Sequence, residues 1–135
     1  MSSEQASREK NQQADPQWIL IVEDDTAIGE LLTLALAYET RYQLRLVGSG
    51  QEALRAVEAV HPILLVLNYQ LPDMTGLEVY DTLHARSEFA TLPAIVISAN
   101  VPQEELNKRH LVDVEKPFDL NDLLETIERV LASHP

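Results

Sequence analysis

The chain has 135 residues, 45% of them apolar, which suits one globular domain with one main core. Its 22 acidic residues outnumber 10 basic ones and give a net charge of −12, which argues against nucleic-acid binding, because phosphate contacts need clustered lysine and arginine. The chain contains no cysteine, which excludes disulfides, thiol chemistry and cysteine-based zinc sites.

The N-terminal segment is polar, and we predict a disordered tail at 1–15 followed by one domain at 16–135. The tail lacks the apolar segment of a signal peptide, and no apolar run approaches the roughly 20 residues of a membrane span. These features predict a cytoplasmic protein without a membrane segment.

Apolar runs alternate five times with stretches of helical spacing. The predicted strands are 18–22, 42–47, 63–67, 93–98 and 111–114. The predicted helices are 26–38, 51–60, 77–85, 103–109 and 119–132, of which the fourth is expected to be short or irregular. The third and fourth strands are apolar almost throughout, as in strands buried on both faces. This alternation predicts an α/β fold in which helices cover both faces of a parallel sheet.

The first and last helices carry the clearest apolar faces. In the first helix, the residues at helical spacing are predicted to face the core; they are Ile28, Leu31, Leu32, Ala35 and Leu36. The last helix has an apolar face of six residues, with Asp119 as the predicted N-cap and Phe118 and Leu123 placed as a hydrophobic staple.

Polar residues stand where four of the predicted strands end. Glu23-Asp24-Asp25 follows the first strand, Asn68 the third, Ser98 ends the fourth, and Lys116 follows the fifth. Because ligands bind at the carboxyl ends of the strands in open α/β sheets, we expect these residues to converge. Acids, a hydroxyl and a lysine suit a site for a cation and a phosphate group. Asn68 stands where such a site would need a nucleophile.

Each of these residues also has a simpler interpretation when it is taken singly. The acids could serve only as the N-terminal charges of a helix, and Ser98 could be an ordinary hydroxyl at a strand end. The four histidines show no ligand spacing and are predicted to be surface residues. Met74 is predicted to pack within a turn.

Five sequence blocks together resemble the receiver domain of two-component response regulators. The blocks are ILIVEDD at 19–25, NYQLPDMTG at 68–76, VISA at 96–99, KPF at 116–118, and the closing amphipathic helix. The resemblance covers roughly residues 17–133 and implies a flavodoxin-like (βα)5 fold, a doubly wound parallel sheet with strand order 2-1-3-4-5. It also implies a cis peptide bond before Pro117.

The resemblance assigns roles to the residues at the strand ends. Asp24 and Asp25 match the acidic pair that holds Mg²⁺, and the backbone carbonyl of Gln70 matches the third protein ligand. Hard oxygen ligands of this kind are those that Mg²⁺ prefers. Ser98 matches the switch hydroxyl that contacts a phosphoryl oxygen, and Lys116 matches the lysine that pairs with the phosphate.

The most important departure from the family pattern is Asn68, which occupies the phosphoacceptor position of an aspartate. A carboxamide is a poor nucleophile and cannot form an acyl phosphate, so phosphorylation there should fail. With one carboxylate missing, Mg²⁺ binding is expected to be weak or absent. Lys116 loses its usual partner and is expected to turn to Asp24 or Asp25.

Two further departures concern the segment between Ser98 and Lys116. The position of the aromatic switch residue is Asp113, which is expected to point to solvent because burying a carboxylate is costly. Only 17 residues separate Ser98 from Lys116, fewer than is common in the family.

We therefore predict a stand-alone pseudo-receiver that is not an enzyme, takes no phosphate on aspartate and acts by protein–protein interaction in signalling. The predicted partners are a histidine kinase or a downstream regulator, with a homodimer possible and with neither nucleic acid nor membrane. Because the chain ends at Pro135 soon after the last helix, no output domain is expected.

Phosphoryl transfer is the alternative function. Another residue, Asp25 or Asp73, would accept the phosphate, or Asn68 would replace a native aspartate through engineering. An engineered change would look identical in the sequence, although Asp113 and the short loop are independent of it. A small Mg²⁺-dependent phosphatase is a third option, but the chain lacks the Asp-x-Asp strand end that it needs.

Overall fold

The computed structural model describes residues 16–133, so the predicted tail at 1–15 and the fourth histidine, His134, lie outside the described residues. The strands are β1 (Trp18–Val22), β2 (Gln43–Val47), β3 (Leu64–Asn68), β4 (Ala94–Ser98) and β5 (Val112–Glu115). The helices are α1 (Thr26–Glu39), α2 (Gly50–Val60), α3 (Gly76–His84), α4 (Gln103–Lys108) and α5 (Leu120–Ala132), and a 3₁₀ turn, Ser87–Phe89, precedes β4. Every predicted element is present, and α4 is short as expected. None of the described helices has the length and apolar sequence that a bilayer-spanning segment requires.

The five strands form one parallel sheet in the order β2-β1-β3-β4-β5, which confirms the expected topology. Helices α2 and α3 pack on one face, and α1 and α5 pack on the other. β3 and β4 are therefore buried along their whole length. β3 runs one residue further than predicted, so Asn68 is its last residue and pairs with Ile97 of β4.

Four of the described helices have a side-chain cap at the N-terminus. Asp25, Ser49, Thr75 and Asp119 each accept a hydrogen bond from a backbone N–H three residues further on. The predicted cap at Asp119 is thus confirmed. The predicted staple residues before and within α5 pack in one apolar cluster. The peptide bond before Pro117 is cis, as the resemblance implied.

The predicted core face of α1 is partly wrong. Leu32 and Leu36 are buried, but the side chains of Ile28 and Leu31 are 40% and 66% exposed. Gly29 explains why α1 buries a different face from the predicted one, because it lies so close to β2 that a Cβ atom would be 2.8 Å from Cδ1 of Leu46. With Gly29 against the sheet, the adjacent face of α1 is exposed to solvent. This exposed apolar surface, the α1 stripe, is formed by Ile28, Leu31, Leu34 and Tyr38.

The histidine predictions are confirmed at two of the three described positions. His61 and His110 are exposed, whereas His84 is half-buried. His84 is the last residue of α3, and its ring lies between α3 and the segment that leads into β4, with nitrogens close to the carbonyl oxygens of Tyr80 and Leu92. Helical spacing alone does not indicate that contact, because the covering segment comes from outside the helix.

Gly76 begins α3 directly against the backbone of β3. A Cβ atom there would lie 2.6 Å from the carbonyl oxygen of Asn68. Because that oxygen is held in the sheet, we expect Gly76→Ala to lower the free energy of unfolding by roughly 1–3 kcal/mol, measured by urea denaturation.

Gly50→Ala is the matched control at the start of α2. The nearest atoms to a Cβ there all belong to the side chain of Met74, which packs against α2 from the predicted turn. A methionine side chain adapts readily, so this variant should lose less stability than Gly76→Ala. Equal losses would show that the end of β3 yields as easily as a flexible side chain.

Candidate functional site

The side-chain amide of Asn68 is the centre of the site. Its nitrogen donates to Oε2 of Glu23 at 3.1 Å, to Oδ1 of Asp24 at 3.1 Å and to the backbone oxygen of Gln70 at 2.9 Å. Its oxygen accepts from Nζ of Lys116 at 3.2 Å. This amide orientation is the one that faces the NH₂ group to oxygen acceptors and the carbonyl to a cation.

These groups line an open cavity of about 520 Å³ at the carboxyl edge of the sheet. Ser98 lines it from the end of β4, and Lys116 lines it from beyond β5. Ser98 is buried, and its Oγ accepts a hydrogen bond from the backbone N–H of Asn100 at 3.0 Å. The predicted convergence of the strand ends is confirmed.

The acids that contact Asn68 are Glu23 and Asp24, whereas the resemblance assigned the Mg²⁺ ligands to Asp24 and Asp25; all three acids line the cavity. Asp25 is the N-cap of α1, and its Oδ1 accepts from the backbone N–H of Ile28 at 3.1 Å. Glu23 follows β1 directly and is only 4% exposed. The helix that starts at Thr26 therefore takes the third acid as its cap and leaves the first two at the end of the sheet. A helix directly after the acids was a sequence signal for such a cap.

Burial raises the pKa of the Glu23 carboxyl above its usual range, and a hydrogen bond from the backbone N–H of Asp25 partly opposes the rise. Lys116 lies 3.8 Å from Oε1 of Glu23. The expectation that Lys116 turns to Asp24 or Asp25 is therefore wrong, since its partners are Asn68 and Glu23. A buried carboxylate needs a counter-charge more than its exposed neighbours do.

The donor set around Asn68 matches what Mg²⁺ requires in chemical type. Glu23, Asp24 and the carbonyl of Gln70 bring three hard oxygen atoms within 3.1 Å of the amide nitrogen. Within residues 16–133, no group of three His, Cys, Asp or Glu side chains is placed to hold a metal ion. A cation here would therefore depend on two carboxylates and a carbonyl, and the amide nitrogen already contacts all three.

Asp73 lies away from this cavity and serves a different purpose. Its two carboxylate oxygens accept from the backbone N–H groups of Gly50 at 2.8 Å and Gln51 at 2.9 Å. These backbone donors at the start of α2 lower the pKa of the Asp73 carboxyl. Asp73 thus fastens the β3–α3 connection to α2.

Asp113 is half-buried on β5, where it pairs with Val96 of β4. It lines a surface depression together with Glu115 and with Asp122 and Glu125 of α5. The expectation that it would point to solvent is confirmed only in part.

Residues 19–128 match the family model of the response regulator receiver domain. The chain is 31% identical over 120 residues to the probable transcriptional regulatory protein TcrX of Mycobacterium tuberculosis, covering 86% of this chain and 50% of TcrX. It is 36% identical over 83 residues to the DNA-binding response regulator MtrA of Mycobacterium leprae, covering 62% of this chain and 35% of MtrA. The chain thus spans half or less of the length of these curated relatives.

Solved structures show the same architecture. A sensor protein from Polaromonas sp. JS666 superimposes with a TM-score of 0.79 at 30% identity, covering 88% of this chain and 98% of that one.

Proposed function

The chain belongs to the response regulator receiver domain family, and from that premise we propose that it is a signalling module that takes no phosphate at position 68. In this proposal it acts by protein–protein contact. The observation that carries the proposal is the side-chain amide of Asn68 at the end of β3. A carboxamide in that place offers no carboxylate oxygen to attack phosphorus.

The hydrogen bonds of Asn68 support the proposal, because both the nitrogen and the oxygen of its amide have protein partners without a ligand. The amide NH₂ donates among the oxygens of Glu23, Asp24 and Gln70, and the amide oxygen accepts from Lys116. In a receiver that binds it, Mg²⁺ supplies charge neutralisation for a transferring phosphoryl group. Here Glu23, Asp24 and the carbonyl of Gln70 would hold the ion weakly, because the amide competes for the same oxygens and adds no charge.

The α1 stripe supports a role in protein contact. Leu34 and Tyr38 are 71% and 88% exposed. Ile28, at the N-terminal end of the α1 stripe, also lines the site cavity. Contiguous exposed apolar side chains of this kind are typical of interaction surfaces. We assign this surface to a protein partner in the signalling pathway, a histidine kinase or a downstream regulator. The net charge of −12 gives no support to a nucleic-acid contact by this domain.

The alternative, phosphoryl transfer to another acid of the chain, has less support. Asp25 is engaged as the cap of α1, and Asp73 is engaged by two backbone donors of α2. A native aspartate at position 68 remains the second candidate, because Glu23, Asp24, Ser98 and Lys116 all line the cavity where such a residue would react.

Beryllofluoride tests the proposal, because it mimics a phosphorylated aspartate only when its beryllium bonds to a carboxylate oxygen. With beryllofluoride and Mg²⁺ added, we expect the backbone amide chemical shifts of residues 103–113 to stay unchanged in NMR spectra. Shifts that spread from Asn68 into that segment would show that a phosphoryl mimic still switches the domain, and the proposal would be wrong.

A further inference from the structure

The solvent-facing side of α1 carries a row of apolar residues whose spacing suits packing against another helix. The members of the row recur at intervals of four, three and four residues; they are Ala27, Leu31, Leu34 and Tyr38. All four are exposed. This alternation of three and four is the spacing of a seam between two helices, where the side chains of one helix fit between those of the other.

The sizes of these residues suit an antiparallel copy of the same helix. Two identical helices related by a twofold axis make reciprocal contacts. With the axis between Leu31 and Leu34, each of these leucines faces the other leucine of the second copy. The same alignment places the small side chain of Ala27 opposite the ring of Tyr38, which is 88% exposed. A parallel pair would instead set the two tyrosine rings against each other and leave a gap between the two alanines.

The charges at the two ends of α1 suit the same arrangement. Asp24 and Asp25 are exposed at the N-terminal end, and Arg41 is exposed just beyond the C-terminal end. The guanidinium carbon of Arg41 lies 5.9 Å from the ring centre of Tyr42, and within residues 16–133 Arg41 forms no ion pair with a carboxylate. Antiparallel pairing brings Arg41 of one copy to the acids of the other. This charge complementarity favours a second copy as the occupant of the surface.

The net charge of the chain opposes self-association and limits its strength. Two copies with a charge of −12 repel each other. Salt screens that repulsion over about 8 Å at physiological ionic strength, whereas contact between apolar side chains needs no such screening. The contact involves one helix of 14 residues, so the interface is small. We therefore expect a dissociation constant in the micromolar range.

We propose that two copies of the chain form a symmetric dimer through antiparallel packing of α1 on α1, with Arg41 of each copy at the acidic mouth of the other copy's site. Ile28 belongs to the α1 stripe and also lines the site cavity, so the second copy covers that side of the cavity. The inference rests on the proposed role of the α1 stripe in protein contact and names its occupant when the chain is alone. A pathway partner that binds the same surface displaces the second copy.

Sedimentation equilibrium of the whole chain tests the dimer. At protein concentrations up to about 0.5 mM, well above a micromolar dissociation constant, we expect a dimer. Leu34→Glu should raise the dissociation constant about a hundredfold, because symmetry places two such charges in each interface. Leu34 is 71% exposed, so this variant should fold normally. Val112→Glu is the matched control, because it adds the same charge at an exposed apolar position on β5 and should leave the dimer intact.

A monomer at every concentration, or a dimer that Val112→Glu disrupts and Leu34→Glu does not, would overturn the proposal. Neither result bears on phosphorylation at position 68, which the mass of the chain tests separately.

A charge exchange tests the antiparallel arrangement. Asp24→Lys and Arg41→Glu should each raise the dissociation constant at least about tenfold, because each places like charges together twice in a symmetric dimer. An equimolar mixture of the two variants should recover the dimer, since both contacts between the unlike chains then join opposite charges. Circular dichroism confirms that each variant is folded before mixing. A mixture that is no more dimeric than its components would overturn the proposal.

Discussion

Asn68→Asp is expected to gain the mass of one phosphoryl group when it is incubated with acetyl phosphate and Mg²⁺, whereas the wild-type chain gains none. The new carboxylate oxygen forms a bond to phosphorus, the bond from phosphorus to the acetyl oxygen breaks, and acetate leaves. Lys116 and Ser98 remain beside the position to stabilise the transferring group. Intact-mass spectrometry before and after hydroxylamine treatment, which cleaves acyl phosphates, measures the result.

Asn100→Asp is the matched control for this gain. Asn100 lines the same cavity but is exposed, beyond the end of β4. A carboxylate there adds the same charge at an exposed position of the cavity. It should stay unmodified. If Asn68→Asp also stays unmodified, the cavity lacks other groups that phosphoryl transfer requires, in addition to the acceptor.

The same substitution, Asn68→Asp, is expected to destabilise the chain in the presence of a metal chelator. It replaces an NH₂ donor by an oxygen beside Glu23, Asp24 and the carbonyl of Gln70, so three favourable contacts of about 3 Å become repulsive. With Glu23 buried, we expect a loss of roughly 2–4 kcal/mol in the free energy of unfolding, measured by urea denaturation.

Added Mg²⁺ should recover part of that loss, because an ion that binds only the folded chain stabilises it by mass action. The wild-type chain should respond much less, since its amide already contacts the same oxygens. Equal stability of wild type and Asn68→Asp in chelator would show that water screens the third carboxylate fully. Asn100→Asp again serves as the control, with little change expected in either condition.

Much of the fold could be predicted from local patterns in the sequence. The uniformly apolar residues at 64–67 and 94–97 indicate strands that are buried on both faces, and the structure has them at the centre of a parallel sheet. Strand ends in a parallel sheet share one edge, so Asn68, Ser98 and Lys116 could be placed together before any coordinates were known. The order of the strands, by contrast, came from the family resemblance.

The errors arise where tertiary packing decides between neighbouring residues. Three acids in a row can each be a ligand or a cap, and only the position at which α1 begins makes Asp25 the cap and leaves Glu23 at the site. The apolar pattern of α1 is wide enough to allow several core faces, and the contact of Gly29 with Leu46 selects one. Lys116 pairs with Glu23 because Glu23 is buried and a buried carboxylate needs a counter-charge. The sequence does not reveal that burial.

The central claim, that position 68 does not take phosphate, is tested most directly on the wild-type chain itself. The measurement is the intact mass after incubation with acetyl phosphate and Mg²⁺, with the site of any modification located by peptide mapping. We predict an unchanged mass. A hydroxylamine-labile gain of one phosphate would contradict the account, and its location on Asp25 or Asp73 would identify the alternative acceptor.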